Sequence, residues 1–191
     1  MHKPLDQLIR HFRFGPIKKN LPPDVKTFLD LGCGAKPWFF DEDFKEIWLG
    51  SQAYGLDKEA FQFIPPLEID FTFTQYELKN ILPFENDKFD LVTAFALLEH
   101  LDEPEQVLKE IARVLKTGGV LLTTVPTKLA KPILEFLAFR LHLIGEESIA
   151  DHKRYFDKKM LAHLLQATDF TIEKLEYFEL GCNLLVKALK Q

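Results

Sequence analysis

Only two cysteines, Cys33 and Cys182, occur in the 191 residues. Neither belongs to a CxxC pair or to a Cys/His cluster with metal-ligand spacing, so neither a disulfide framework nor a metal site is expected, and a reducing cytoplasm is the expected compartment. Positive charge is not in excess either: the formal net charge is −5 and the pI lies near 5.7. Phosphate backbones are bound by clustered Lys and Arg, so this balance disfavours a nucleic-acid partner. No apolar run approaches the ~20 residues that a helix needs to cross a bilayer. The stretch from Met1 to Arg13 interleaves His2, Lys3, Asp6, Arg10 and His11 with its apolar residues, a texture unlike a signal peptide. Repeats, linkers and low-complexity tracts are also missing. These absences leave one domain over residues 1–191, long enough to bury a core without a staple.

What the chain does have is phenylalanine, 18 of them. That much aromatic area is expected mostly in the core, with some lining a pocket. Residues 1–24 read as an N-terminal helix and lead-in, because Leu5, Leu8, Ile9 and Phe12 recur at helical spacing before Gly15-Pro16. Val25 to Leu31 then reads as a buried strand ending in Gly32-Cys33-Gly34. Further strands are expected at Ala53 to Leu56, Phe71 to Tyr76, Phe89 to Phe95 and Val120 to Val125. A helix opens at Asp102-Glu103-Pro104, carries an apolar stripe of Val107, Leu108, Ile111, Val114 and Leu115, and stops at Gly118-Gly119. Helices near 129–143 and 157–167 and strands near 170–178 and 183–189 complete the chain. Alternating strands and helices make a doubly wound α/β sheet the economical fold.

In such sheets ligands bind beyond the carboxyl ends of the strands, so the residues after each strand are the informative ones. The first strand ends in Asp30-Leu31-Gly32-Cys33-Gly34, whose glycines let backbone turn sharply and approach a ligand. A dinucleotide loop would carry GxGxxG for an anionic pyrophosphate. Here Pro37 stands at the third glycine's place and Asp30 adds negative charge. Both features suit S-adenosylmethionine better, since it carries an ammonium and a sulfonium and no phosphate. The second strand ends at Asp57, 23 residues beyond Gly34, followed by Lys58, near the distance at which an acidic side chain meets ribose hydroxyls. Glu77 could accept from an adenine amino group while Leu78 packs on the ring. The fourth strand ends in Thr93-Ala94-Phe95-Ala96, small enough to leave room beneath a methionine portion.

The runs FLDLGCGAKP (Phe28 to Pro37), YGLDK (Tyr54 to Lys58), LPFENDKFD (Leu82 to Asp90), LLEHL (Leu97 to Leu101) and IARVLKTGGVLLTTVP (Ile111 to Pro126) resemble class I S-adenosylmethionine-dependent methyltransferases. Within that class they are most similar to the branch holding the ubiquinone/menaquinone-type and related small-molecule enzymes. The stretch DHKRYF (Asp151 to Phe156) and Gly181-Cys182-Asn183 resemble it less specifically. The resemblance implies a Rossmann-like, three-layer α/β/α fold with a doubly wound seven-stranded sheet ordered 3-2-1-4-5-7-6, strand 7 antiparallel. It also implies cofactor contacts from Asp30, Gly32, Gly34, Asp57, Glu77 and the Phe95 region, with Cys33, Lys58, Leu78 and Ala96 beside them. The chain departs from the family at Lys36, where a third glycine is common, and in a first crossover helix confined to Trp38 to Phe44.

Methyl transfer from a sulfonium is an in-line displacement, so alignment supplies much of the rate and a base is needed only for some acceptors. His100 could hold its loop or act as a general base. His152, Arg154 and Tyr155 could cap an acceptor site, or form a charged surface turn whose Tyr155 and Phe156 staple the next helix. Cys33, inside the glycine loop, could have its thiol pKa lowered by a helix N-terminus, but no nucleophilic role is assigned to it. Residues 127–156 are expected to form a lid over the acceptor site. Within them Pro132 to Ile144 is apolar on more than one face, as in a buried helix, a lid, or a contact with a greasy substrate or membrane surface. The leading expectation is an enzyme acting on a small, hydrophobic acceptor. A cofactor-binding partner subunit without catalysis and a nicotinamide-dependent oxidoreductase are the rivals.

Overall fold

The computed structural model describes residues 12, 14–41, 44–61, 64–65, 69–79, 81–143 and 145–191. Its strands are β1 (Thr27–Leu31), β2 (Gln52–Asp57), β3 (Asp70–Gln75), β4 (Phe89–Phe95), β5 (Leu115–Pro126), β6 (Phe170–Phe178) and β7 (Asn183–Lys190). They form one sheet in the order β3-β2-β1-β4-β5-β7-β6. Neighbours from β3 to β5 are parallel, and β7 runs antiparallel to both β5 and β6. The direction of winding reverses between β1 and β4, which makes their carboxyl tips the switch point of the sheet.

Side chains alternate between the two faces of each strand, and the packing follows that period. Leu29 and Leu31 of β1, with Val92 and Ala94 of β4, join one core cluster together with α2 (Pro104–Val114) and α5 (Lys158–Gln166). Phe28 and Leu91 belong to the opposite cluster, with Phe14 and Ile17 from the helical residues 14–20, here α1. Pro104 lies in the first turn of α2, where its missing N–H costs nothing, and Val107, Leu108, Ile111 and Val114 are buried along one side. Asp157 caps α5 by accepting from Met160 N at 2.9 Å.

Several boundaries differ from the sequence expectation for identifiable reasons. Phe12 and residues 14–20 are helical, so Gly15-Pro16 does not stop the helix; Leu5, Leu8 and Ile9 lie outside the described residues. Helix α2 ends at Val114, and Leu115 already pairs with Phe89 in the sheet before the register shifts to Leu91 and Val120. The glycines thus shape a bulge in β5 and do not end the helix. The described residues of the crossover from β1 to β2 form two 3-10 turns, Trp38–Phe40 and Lys45–Trp48, and no α-helix. Trp38, Phe39 and Phe40 are all buried, and three consecutive residues cannot share one α-helical face. A tight turn buries them instead, in edge-on contacts such as Trp38 with Phe44 at 4.8 Å and Phe28 with Phe39 at 4.8 Å.

The expected helix near 129–143 resolves into α3 (Ala130–Glu135) and a π-helical turn (Phe136–Arg140), followed by a further helix, α4 (Glu146–Ala150). Ala138 is buried, but Ile133, Phe136 and Phe139 are exposed, so this is not a buried helix. Among the described residues no helix is long and apolar enough to cross a membrane.

Gly55 on β2 sits at a close junction of the sheet with the glycine loop and β3. A Cβ there would lie 2.9 Å from Cys33 Sγ and 2.9 Å from the Phe71 ring. Gly55→Ala is expected to destabilise the fold by about 2 kcal/mol, as overpacking does, measured by urea unfolding.

Candidate cofactor and acceptor site

The carboxyl tips of β3, β2, β1 and β4 lie side by side in the sheet, and each carries residues singled out from the sequence. At the tip of β1, Gly32 and Gly34 have φ of 69° and 66°, a left-handed conformation that any side chain would strain. Gly32 N donates to Leu56 O at 2.8 Å. Gly34 N donates to Asp57 Oδ2 at 2.8 Å, and Asp57 Oδ1 accepts from Glu59 N at 2.9 Å. Asp57 therefore belongs to both tips: it closes the β2 turn and fixes the glycine loop. Each of its oxygens keeps a further lone pair for a ligand. A Cβ on Gly34 would meet nothing within 4 Å, so the loop's backbone there borders open space.

Asp30 is buried, and its Oδ1 accepts from Thr93 Oγ1 at 2.6 Å. The two residues are register partners in β1 and β4, so the hydrogen bond follows directly from strand order. Thr93 was noticed in the sequence only as part of a small-residue strand end. The signal that could have flagged it is a hydroxyl opposite an acidic strand residue in an otherwise apolar sheet. Leu97 was missed as well; a Cβ on Gly32 would come within 3.1 Å of its Cδ1, so it packs beneath the loop.

The loop sits in a negative field. Burial is the main cause that pushes the Cys33 thiol pKa up, and the Asp30 and Asp57 carboxylates push it the same way. The possibility of a lowered thiol pKa is thus overturned; among the described residues between β1 and β2 no α-helix follows the loop to supply a positive end. Burial penalises charge of either sign, whereas the Asp30 and Asp57 carboxylates act by sign: they disfavour an anion such as a pyrophosphate and favour a cation.

At the third tip Tyr76 N donates to Asp57 O at 2.7 Å, bringing this segment beside the ribose candidate. Glu77 is exposed and pairs with Lys79 at 2.9 Å; hydrogen bonding to Lys79, then its charge, holds the Glu77 carboxyl below its usual pKa. Its side chain is engaged with Lys79. Leu78 is half-buried against the core, and Lys58 is exposed. At the fourth tip Phe95 packs on Trp38, with ring centroids 5.2 Å apart. Ala96 has φ of 50° and donates to Thr124 O at 2.9 Å.

The acceptor-side candidates come together on one side of this array. Thr127 pairs with Phe156, so residues 128–155 leave and rejoin the fold at one place. Their last turn is tied to the loop after β4 by Lys153 N to Glu99 O at 2.9 Å and Arg154 Nη2 to Asp102 O at 2.9 Å. His100 Nδ1 lies 3.2 Å from Asp151 Oδ2. The His100 and His152 rings meet edge-on at 4.8 Å, and His152 meets Tyr155 at 5.3 Å. Glu99, His100 and His152 bring donor atoms within 4.8 Å of one another, a grouping assembled from two distant segments that no local spacing reveals. Burial raises the Tyr155 pKa, aided by Glu135 and Glu99.

With this geometry in place, comparison with known proteins is decisive. The model of a methyltransferase domain family matches residues 6–175. A ubiquinone biosynthesis O-methyltransferase from Burkholderia vietnamiensis is 30% identical, across 91% of this chain and 76% of its own. The chain belongs to the class I S-adenosylmethionine-dependent methyltransferases. A ubiquinone/menaquinone biosynthesis C-methyltransferase from Vibrio campbellii is 36% identical, over 46% of this chain and 36% of that enzyme. Several other curated relatives are likewise spanned over 30% to 48% of their length. A methyltransferase structure from Aquifex aeolicus shares the fold, with a TM-score of 0.66 at 15% identity, over 93% of this chain and 89% of the other. S-adenosylmethionine is the cofactor of this methyltransferase class, and the open, negative glycine loop fits that cation.

Burial lowers the His152 pKa from 6.5 to about 4, with the His100 charge acting the same way and Asp151 opposing both. Between those values the unfolded methyltransferase binds the extra proton, so His152 contributes its full stability above pH 6.5 and loses it as pH falls toward 4. The loss is expected to be about 2 kcal/mol for this half-buried ring, and His152→Gln should flatten that part of the stability curve in urea titrations at pH 7 and pH 4.5.

Proposed function

We propose that residues 1–191 work as one catalytic domain that methylates a small, hydrophobic acceptor. The observation that carries this reading is the joint between Gly34 N and Asp57 Oδ2 at 2.8 Å, which sets a carboxylate with spare lone pairs beside bare backbone at the switch point. In this assignment Gly32, Cys33 and Gly34 face the amino-acid end of the cofactor, and Asp30 supplies negative charge from below. Asp57 holds the ribose hydroxyls, and Lys58, Glu77 and Leu78 border the adenine. Phe95 and Ala96 form the floor under the sulfonium end. When bound, S-adenosylmethionine supplies an electrophilic methyl group on a positively charged sulfur. The protein's part is to hold the acceptor in line and exclude water, which can supply most of the acceleration.

Residues 127–156 form the roof of the acceptor side. Their outward residues Leu129, Ile133, Phe136 and Phe139, with the fully exposed Leu180, support an apolar acceptor or a passing contact with a greasy surface. Two relatives carry ubiquinone biosynthesis in their names, which supports the same acceptor class. The match to an O-methyltransferase over most of the chain favours an enzyme over a non-catalytic partner subunit, and the negative loop counts against a nicotinamide dinucleotide.

Calorimetric titration with S-adenosylhomocysteine is expected to show one site per chain. Asp57→Ala should weaken binding by about tenfold or more, ~1.4 kcal/mol, while Asp57→Asn, which keeps one acceptor oxygen, should lose less. No heat with the folded wild-type protein, or NADH binding more tightly, would refute the proposal.

A further inference from the structure

We propose that Asp151 is a positioning residue that fixes His100 as a proton acceptor, directing this enzyme to hydroxyl acceptors. The inference rests on the methyltransferase reading above and names the acceptor chemistry of that site. His100 lies just beyond the tip of β4, five positions after Phe95, and so after the strand end that carries the Phe95 and Ala96 candidates. Its Nδ1 is 3.2 Å from the Asp151 carboxylate. A carboxylate only accepts, so the shared proton resides on Nδ1, and the lone pair of the neutral ring is left on Nε2. An oriented imidazole with a carboxylate behind it is the arrangement that takes a proton from a hydroxyl.

The surroundings hold the pair in place. Lys153 and Arg154, two and three positions after Asp151, are tied to Glu99 O and Asp102 O on the His100 side, and Lys153 Nζ also pairs with Asp102 Oδ1 at 2.7 Å. His152 stacks edge-on against the His100 ring at 4.8 Å. The His100 side chain is 22% exposed, open enough to meet an acceptor.

In the step this arrangement serves, the acceptor's O–H proton passes to His100 Nε2 while the new oxygen–carbon bond forms. The methyl carbon–sulfur bond breaks with its electron pair remaining on sulfur, which becomes a neutral thioether. The resulting imidazolium is stabilised by Asp151. An amine that enters neutral, or a carbon nucleophile already activated, has no need of such a pair.

The test is long-range proton–nitrogen NMR of the imidazoles in the complex with S-adenosylhomocysteine, wild type against Asp151→Asn. The Asp151 side chain is 54% exposed, so the variant should fold. A single Nδ1–H form of His100 that becomes a tautomer mixture in Asp151→Asn supports the proposal; an Nε2–H form or a mixture in the wild type overturns it. With catechol as the hydroxyl probe, Asp151→Asn should lower kcat about tenfold and leave KM within about twofold. Unchanged kcat, transfer to aniline in preference to catechol, or activity lost to a chelator and restored by a divalent cation would each overturn it. Failure of S-adenosylhomocysteine to bind would refute the cofactor reading itself, whereas binding with the wrong tautomer would refute the role of Asp151 alone.

Discussion

The hydrogen bond from Gly34 N to Asp57 Oδ2 ties together two strand tips that would otherwise carry independent loops. On one side it holds a left-handed glycine turn whose backbone borders open space. On the other it holds a carboxylate whose second oxygen is steadied by Glu59 N. A turn with two positive-φ glycines has wide conformational freedom when unfolded, and this bond, with that of Gly32 N to Leu56 O, removes it. The close fit of Gly55 beneath Cys33 and Phe71 places the same joint on a packed floor. Cofactor recognition in this fold thus depends on backbone held to a neighbouring strand, with side chains adding charge.

Charge then selects what the joint can hold. Burial raises the Cys33 thiol pKa most, and Asp30 and Asp57 add to it; the sign of their contribution is opposite to that expected at the phosphate-binding turn of a dinucleotide fold. The described residues between β1 and β2 form no α-helix, which reinforces the difference, since none of them brings a helix N-terminus to the loop. In its place Trp38, Phe39, Phe40, Phe44 and Trp48 fill the space, and Trp38 reaches Phe95 at the floor of the site. Aromatic packing does the structural work of a crossover helix here without adding its positive end.

Much of this was legible in the sequence because it is local. Asp30, Gly32 and Gly34 lie in one run, and strand ends carrying Asp57 and the Phe95 region follow from apolar segments ended by small or charged residues; the sheet order itself came with the family resemblance. What the sequence hid was produced by strand register or by distant loops. Thr93 meets Asp30 because β1 and β4 are neighbours, and His100 meets Asp151 across 51 positions of chain. The helix stripe misled at Leu115, which shares the α2 period but is captured by the sheet edge of Phe89. Pro132 to Ile144 left a buried helix, a lid and a greasy contact open, and the exposure of Ile133, Phe136 and Phe139, which only tertiary structure decides, removes the buried helix alone.

The most direct measurement of the central claim is a crystal structure of the protein grown with S-adenosylhomocysteine. The account predicts density for the amino-acid end over the Gly32 to Gly34 turn and for the ribose hydroxyls within hydrogen-bonding reach of Asp57. Ligand density away from the β1 and β2 tips, or a ribose held by residues other than Asp57, would contradict it.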